Sequence, residues 1–255
     1  MIVIGLGSGR TGTASMSHLF NSQKESLCFH ELNPTGAVFE GNAQPILNTI
    51  NEFQRILDGG NKQLLAIDYS RAASVKRYAD LQKMGKVSLI GDIAYYYLKY
   101  VDDILAINQN VRFVCIKRDK TQTVDSWMSK SSIKRWRSLR IADRLKSIIT
   151  RTPFHEGKNF WQIHDGSVWQ LDPVWDKTFP KFEAASKREA IEMYWDYYYA
   201  EAEKTEKRHP AQFRIFDITK LSNPAGQKEI LAFTGLNEQD MVLRDKYHLH
   251  KSSGD

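Results

Sequence analysis

The chain has 255 residues, 42% of them hydrophobic and 26% charged. That balance suits a folded globular protein with a core large enough to need no disulfide staples, and it excludes a disordered or fibrous chain. The formal charge of +6 favours an anionic ligand. It is not gathered into the long basic stripe that nucleic acid requires. The nearest candidate is Lys130 to Arg144, which also carries Lys134, Arg135, Arg137 and Arg140.

In chain order, Ile2-Val3-Ile4-Gly5-Leu6 is a short apolar run bounded by glycine and is predicted as a buried parallel strand. Thr13 to Gln23 is predicted as a helix, with Met16, Leu19 and Phe20 at helical spacing. Leu27-Cys28-Phe29 is a second strand, stopped by Asn33-Pro34-Thr35-Gly36. A helix follows from Pro45 to Leu57, with Ile46, Ile50, Phe53 and Leu57 on one face and Gly59-Gly60 at its end. Leu64 to Ile67 is predicted as a third strand, Ala72 to Met84 as a helix and Lys86 to Gly91 as a fourth strand. Tyr95 to Ile107 is predicted as a helix, Val111 to Ile116 as a fifth strand and Thr121 to Lys130 as a helix.

From about 150 to 183 the periodicity disappears. This stretch holds Phe154, His155, Phe160, Trp161, His164, Trp169, Trp175 and Phe179, and is expected as an irregular, aromatic-rich insert over the active edge. Ala184 to Arg208 is a long helix whose Met193, Tyr194, Tyr197 and Tyr198 are expected in the core. Gln212 to Phe216 is a last strand, Glu229 to Phe233 a short helix ended by Gly235, and Lys251 to Asp255 a fraying tail.

Strands alternating with helices imply one three-layer α/β/α domain over residues 1–255, built on a mostly parallel central sheet of about five strands. Right-handed crossovers bring the loops after Leu6, Phe29, Ile90 and Ile116 to one edge, where such sheets bind ligands. Cys28 and Cys115 lie in apolar runs, as buried thiols in a reducing compartment do, and two cysteines do not make a zinc site. Met1 leads directly into Ile-Val-Ile-Gly, without the basic and apolar regions of a signal peptide. No run approaches the ~20 apolar residues of a membrane span. The expectation is a cytoplasmic protein with neither membrane nor nucleic acid as partner.

The sharpest signal is Gly7-Ser8-Gly9-Arg10-Thr11-Gly12-Thr13, between the first strand and the first helix. Unpaired N–H groups and the helix dipole make that junction an anion site. Three nucleotides compete for it. Gly7-x-Gly9-x-x-Gly12 fits the dinucleotide fingerprint, with Glu31 near the position of the ribose-binding acid, which makes an NAD(P)-dependent oxidoreductase the alternative enzyme class. An ATP-type loop fits worse, because Thr13-Ala14 stands where Lys-Ser/Thr belongs. The third reading uses the cation inside the loop.

Ser8 to Thr13 resembles the 5′-phosphosulfate loop of the sulfotransferase superfamily. A second segment, Phe113-Val114-Cys115-Ile116-Lys117-Arg118-Asp119 with Ser126 eight residues after Arg118, is similar to that family's 3′-phosphate motif. Ile90 to Leu98 and Phe213 to Leu236 are more weakly similar. The chain departs from the family in Asp119-Lys120 after the arginine, in Asp92, and in lacking a C-terminal Arg-Lys-Gly segment, for which a lysine or arginine of the insert, such as Lys158, is expected to substitute.

The resemblance implies a sulfotransferase using 3′-phosphoadenosine 5′-phosphosulfate (PAPS), with adenosine 3′,5′-bisphosphate (PAP) as product and no metal. Ser8, Gly9, Arg10, Thr11, Gly12, Thr13, Ala14, Arg118 and Ser126 then hold the donor. Arg10 stabilises the leaving phosphate, and Glu31, or next to it His30, takes the acceptor's proton. Asp92 and His155 are expected to contact a small-molecule or carbohydrate acceptor. A nucleotide-binding protein without catalysis is the third class.

Overall fold

The computed structural model describes residues 1–32, 42–69, 71–130 and 184–245, together with 141, 142, 144, 145, 148, 149 and 182. His155, Lys158, His164 and almost all of the aromatic-rich insert lie outside the described residues.

Five strands form one all-parallel sheet: β1 (Ile2–Leu6), β2 (Ser26–Cys28), β3 (Leu89–Ile93), β4 (Arg112–Lys117) and β5 (Phe213–Asp217). Their order is β2-β3-β1-β4-β5. The register pairs Ile4 of β1 with Asp92 on one side and with Phe113 on the other. Helices cover both faces: α1 (Thr13–Asn21), α2 (Gln44–Leu57), α3 (Ala72–Lys83), α4 (Val101–Ile107), α5 (Lys120–Lys130), α6 (Lys187–Arg208) and α7 (Pro224–Phe233).

The period-two alternation of β side chains divides the core in two. Ile2, Ile4, Leu6, Ile90, Phe113 and Cys115 face α2, α4 and α6 through Ile50, Phe53, Ile104 and Tyr194. Val3, Cys28, Ile93, Val114 and Ile116 face α1 and α7 through Met16, Leu19, Phe20, Ile230 and Leu231. The expected three-layer α/β/α architecture is therefore the one observed. The two cysteines are buried and free, one in each half of the core.

Four expected elements differ. Leu64 to Ile67 is not a strand. Leu64 and Ile67 are buried while Leu65 is 72% exposed, a spacing that does not fit strand alternation. The Leu65 N–H donates to the Glu52 carboxylate, and the Asp68 N–H to the Leu32 carbonyl, rather than to a sheet neighbour. Tyr95 to Ile107 divides into a 3-10 turn, Tyr95–Tyr100, followed by α4. Helix α7 begins at Pro224 rather than Glu229, because Asn223 caps it by accepting from the Gly226 N–H at 2.8 Å. The fourth strand runs on through Gly91-Asp92-Ile93, which draws Asp92 into the sheet.

Gly91 makes that strand possible. A Cβ there would lie 1.9 Å from the Val3 carbonyl oxygen, which belongs to the backbone of β1. Gly91→Ala should lower stability by about 3 kcal/mol, the upper end of ordinary overpacking. Gly85→Ala, whose new Cβ meets nothing within 4 Å, should change it by less than about 0.5 kcal/mol. Urea-unfolding midpoints of the two variants check the contrast.

Candidate functional site

The site is assembled from chain segments that leave the sheet at one edge. After β1 the backbone turns through Gly9 (φ 84°), Arg10 (φ 60°) and Gly12 (φ 91°) before α1 begins. Arg10 is the non-glycine residue of the three, and its left-handed conformation costs roughly 1–2 kcal/mol. Gly12 is the N-cap of α1; no side chain caps the helix, and no acid sits in its first turn. Among the described residues, the N–H groups of Thr11, Gly12, Thr13 and Ala14 have no protein acceptor. An anion placed there would satisfy them and meet the positive end of the helix dipole.

The two arginines that the sequence places 108 residues apart converge on this loop. Arg118, just beyond β4, donates from Nη1 to the Arg10 carbonyl at 3.2 Å and from Nε to Gln122 Oε1 at 3.2 Å. Arg10 in turn donates from Nε to Ser126 Oγ in α5 at 3.0 Å. Arg10, Arg118 and Ser126 thus form one cluster beside an uncapped helix start. Trp127 packs over Gly9, its Cζ2 only 2.5 Å from where a Cβ would stand.

Beyond β2 the chain continues alongside β3: the Phe29 N–H donates to the Gly91 carbonyl at 2.8 Å and the Glu31 N–H to the Ile93 carbonyl at 2.9 Å. His30 Nε2 lies 3.1 Å from Thr13 Oγ1, which brings the imidazole to the start of α1. Burial is the main effect on His30 and leaves its pKa below the ordinary 6.5, although Glu31 pulls the other way. Glu31 is also left-handed, at φ 57°. Its carboxylate meets Arg71 Nη1 at 2.5 Å. Burial pushes the Glu31 carboxyl up, but Arg71 together with His30 outweighs it and holds the group below its ordinary value.

Asp92, expected to contact the acceptor, is drawn into the interior. It is fully buried, and its carboxylate is engaged within the protein. It accepts from the Leu32 N–H at 3.1 Å, the Ile93 N–H at 2.8 Å, Tyr96 Oη at 3.1 Å and Tyr97 Oη at 2.9 Å. It therefore anchors the turn that carries His30 and Glu31. Burial raises its pKa against the pull of these hydrogen bonds.

The dinucleotide reading does not fit this geometry. In that fold the second strand lies beside the first, whereas here β3 separates β2 from β1. Glu31 is also paired with Arg71 and not available to a ribose.

Sequence reasoning missed Arg71. It stands alone before α3, and only the folded chain reveals its partner. Arg10, Arg118, Ser126, His30 and the loop residues, all singled out from the sequence, lie together.

No protein-family model and no curated protein matches the sequence. Among solved structures, the chain is similar to a sulfotransferase from Alicyclobacillus acidocaldarius, at 12% identity and a TM-score of 0.44, over 97% of this chain and 85% of that one. It is also similar to a sulfotransferase domain from the curacin biosynthetic pathway, at 12% identity and a TM-score of 0.38, over 92% of this chain and 74% of that one. Among the described residues no helix is long and apolar enough to cross a membrane.

The depressed pKa of His30 has a measurable sign. Between its folded value and about 6.5 the unfolded chain binds the extra proton. His30 should therefore cost no stability above about pH 6.5, and increasingly more as the pH falls through that window. Subtracting the unfolding free energy of His30→Gln from that of the wild type across pH 4–8 should isolate this slope.

Proposed function

We propose that the protein is a sulfotransferase that moves a sulfuryl group from PAPS to a hydroxyl or amine of a small-molecule or carbohydrate acceptor. One observation carries the reading. Arg10 lies within the anion loop and is hydrogen-bonded to Ser126, while Arg118 is hydrogen-bonded to the Arg10 backbone. A loop that only holds a phosphate needs no cation at its centre. One that stabilises a phosphate as it departs does.

The residues suit the donor as follows. The unpaired N–H groups from Thr11 to Ala14 and the Thr13 hydroxyl face the 5′-phosphate. Arg118 and Ser126 suit the 3′-phosphate; the planar donor fork of arginine matches its oxygens. Arg10 neutralises the charge that gathers on the bridging oxygen as the sulfur–oxygen bond to the phosphate breaks. The acceptor oxygen or nitrogen forms the new bond to sulfur, and its proton passes to a base.

For that base we assign His30 ahead of Glu31. Burial lowers the His30 pKa, which favours the neutral imidazole a base must be, and Thr13 meets the ring at the loop. Glu31 is committed to Arg71 and is the weaker base for it. Its charge beside the ring stabilises the imidazolium that forms. Asp92 keeps both residues in register with β3.

Calorimetry tests the donor. Adenosine 3′,5′-bisphosphate should bind at micromolar levels and NADH and ATP much more weakly; binding of NADH alone would sink the reading. Arg118→Ala should weaken the bisphosphate at least tenfold more than adenosine 5′-phosphate, since a lost charge-assisted hydrogen bond is worth about 1.5–3 kcal/mol.

Turnover with a panel of acceptors and labelled donor separates an enzyme from a binding protein. His30→Gln should reduce kcat by about 10²-fold or more with donor affinity unchanged. Glu31→Gln should cost less. The reverse order would move the base to Glu31.

A further inference from the structure

Two neighbouring tyrosines of α6, Tyr198 and Tyr199, place their phenols against the loop and strand ends of the site. Tyr198 Oη accepts from the Gly7 N–H at 3.1 Å and donates to the Tyr95 carbonyl at 3.2 Å. It thereby joins the residue that follows β1 to the turn that follows β3. Tyr199 Oη donates to the Ile116 carbonyl at 2.8 Å, near the end of β4 and two residues before Arg118. The Ser8 hydroxyl stands 3.5 Å from the same phenol, and Thr11 also lies against it. Both tyrosines are buried.

These contacts differ from ordinary core packing. A phenylalanine would fill the same space, yet each phenol hydrogen-bonds the backbone at or beside a strand end. Without the phenols, the Gly7 N–H and the Tyr95 and Ile116 carbonyls would lose these partners. The surroundings hold α6 to the same edge. Lys120 of α5 meets Asp196 at 2.6 Å, Lys117 of β4 meets Glu203 at 2.8 Å, and Arg188 pairs with Asp125. One helix is therefore tied to the ends of β1, β3 and β4 and to α5, the element that carries Ser126.

We propose that Tyr198 and Tyr199 are positioning residues that set the spacing between the 5′-phosphate loop and the Arg118 strand, so that the site recognises two phosphates of one nucleotide together. Tyr198 acts on the loop. Tyr199 acts on the loop and on the strand leading to Arg118. The nucleotide named here rests on the proposed donor; the positioning itself does not.

The test uses the full chain carrying Tyr198→Phe, Tyr199→Phe or both, with Tyr197→Phe as control. Tyr197 is on the same helix, and its phenol is held by Lys99 away from the loop. Two readouts are taken: calorimetry with adenosine 3′,5′-bisphosphate and adenosine 5′-phosphate, and amide exchange of the segment spanning residues 7–12. Tyr198→Phe should weaken both nucleotides by the same factor, about tenfold, and speed exchange at Gly7. Tyr199→Phe should weaken the bisphosphate several-fold more than the monophosphate. Tyr197→Phe should change neither. Equal affinities and unchanged exchange in both test variants would overturn the proposal, as would equal loss of the two nucleotides in Tyr199→Phe. If the wild type binds neither nucleotide, the donor assignment fails, and exchange at residues 7–12 alone decides the positioning. If the double variant does not fold, the single variants carry the same readouts.

Discussion

Strand β1 is hydrogen-bonded along both edges, to β3 from Ile2 to Gly5 and to β4 from Val3 to Leu6. A strand held on two sides cannot tilt or slip, since a one-residue shift would turn Ile2, Ile4 and Leu6 away from their half of the core. The chain leaving Leu6 must therefore emerge between the ends of β3 and β4. From that constraint the rest of the site follows. Arg118 can reach the loop only because β4 is the neighbour of β1. The turn bearing His30 can reach Thr13 only because β3 carries it past the sheet edge.

Backbone strain gathers at this edge. Arg10 and Glu31 are both left-handed without being glycine. Such conformations persist only where surrounding contacts over-determine them. Arg10 is fixed through its carbonyl by Arg118 and through its side chain by Ser126. Glu31 is fixed by the Ile93 carbonyl at its N–H and by Arg71 at its carboxylate. In each case the strained residue carries a charged side chain that meets a partner from a distant segment. The large apolar core on both faces of the sheet supplies the stability that offsets this cost.

The sheet and its helices were legible because their signals are local. A β-branched run bounded by glycine marks β1, an apolar run marks β4, and helical spacing marks α1, α2 and α6. Leu64 to Ile67 carried the same apolar signal and misled. An apolar run reports burial, and here burial is achieved by two side chains three apart while the N–H groups turn to Glu52 and Leu32. The surroundings of Asp92 were hidden for the opposite reason. A carboxylate near a sheet edge suggests solvent and substrate, and nothing in the sequence says that Tyr96, Tyr97 and the Leu32 N–H will close over it. The tyrosines of α6 were read as core from their spacing. That holds for their rings, while the roles of the Tyr198 and Tyr199 phenols depend on chain segments more than 80 residues away. Arg71 left no local trace.

The two cysteines have a consequence of a different kind. Cys28 and Cys115 are fully buried in opposite halves of the core, with the sheet between them. They cannot form a disulfide with each other while the sheet is intact, and burial holds both thiols protonated well above their ordinary range. Each becomes reactive only when its own layer opens. The native chain therefore carries two internal chemical reporters. The rate at which Cys28 is modified measures the opening of the side covered by α1 and α7, and that of Cys115 the opening of the side covered by α2, α4 and α6.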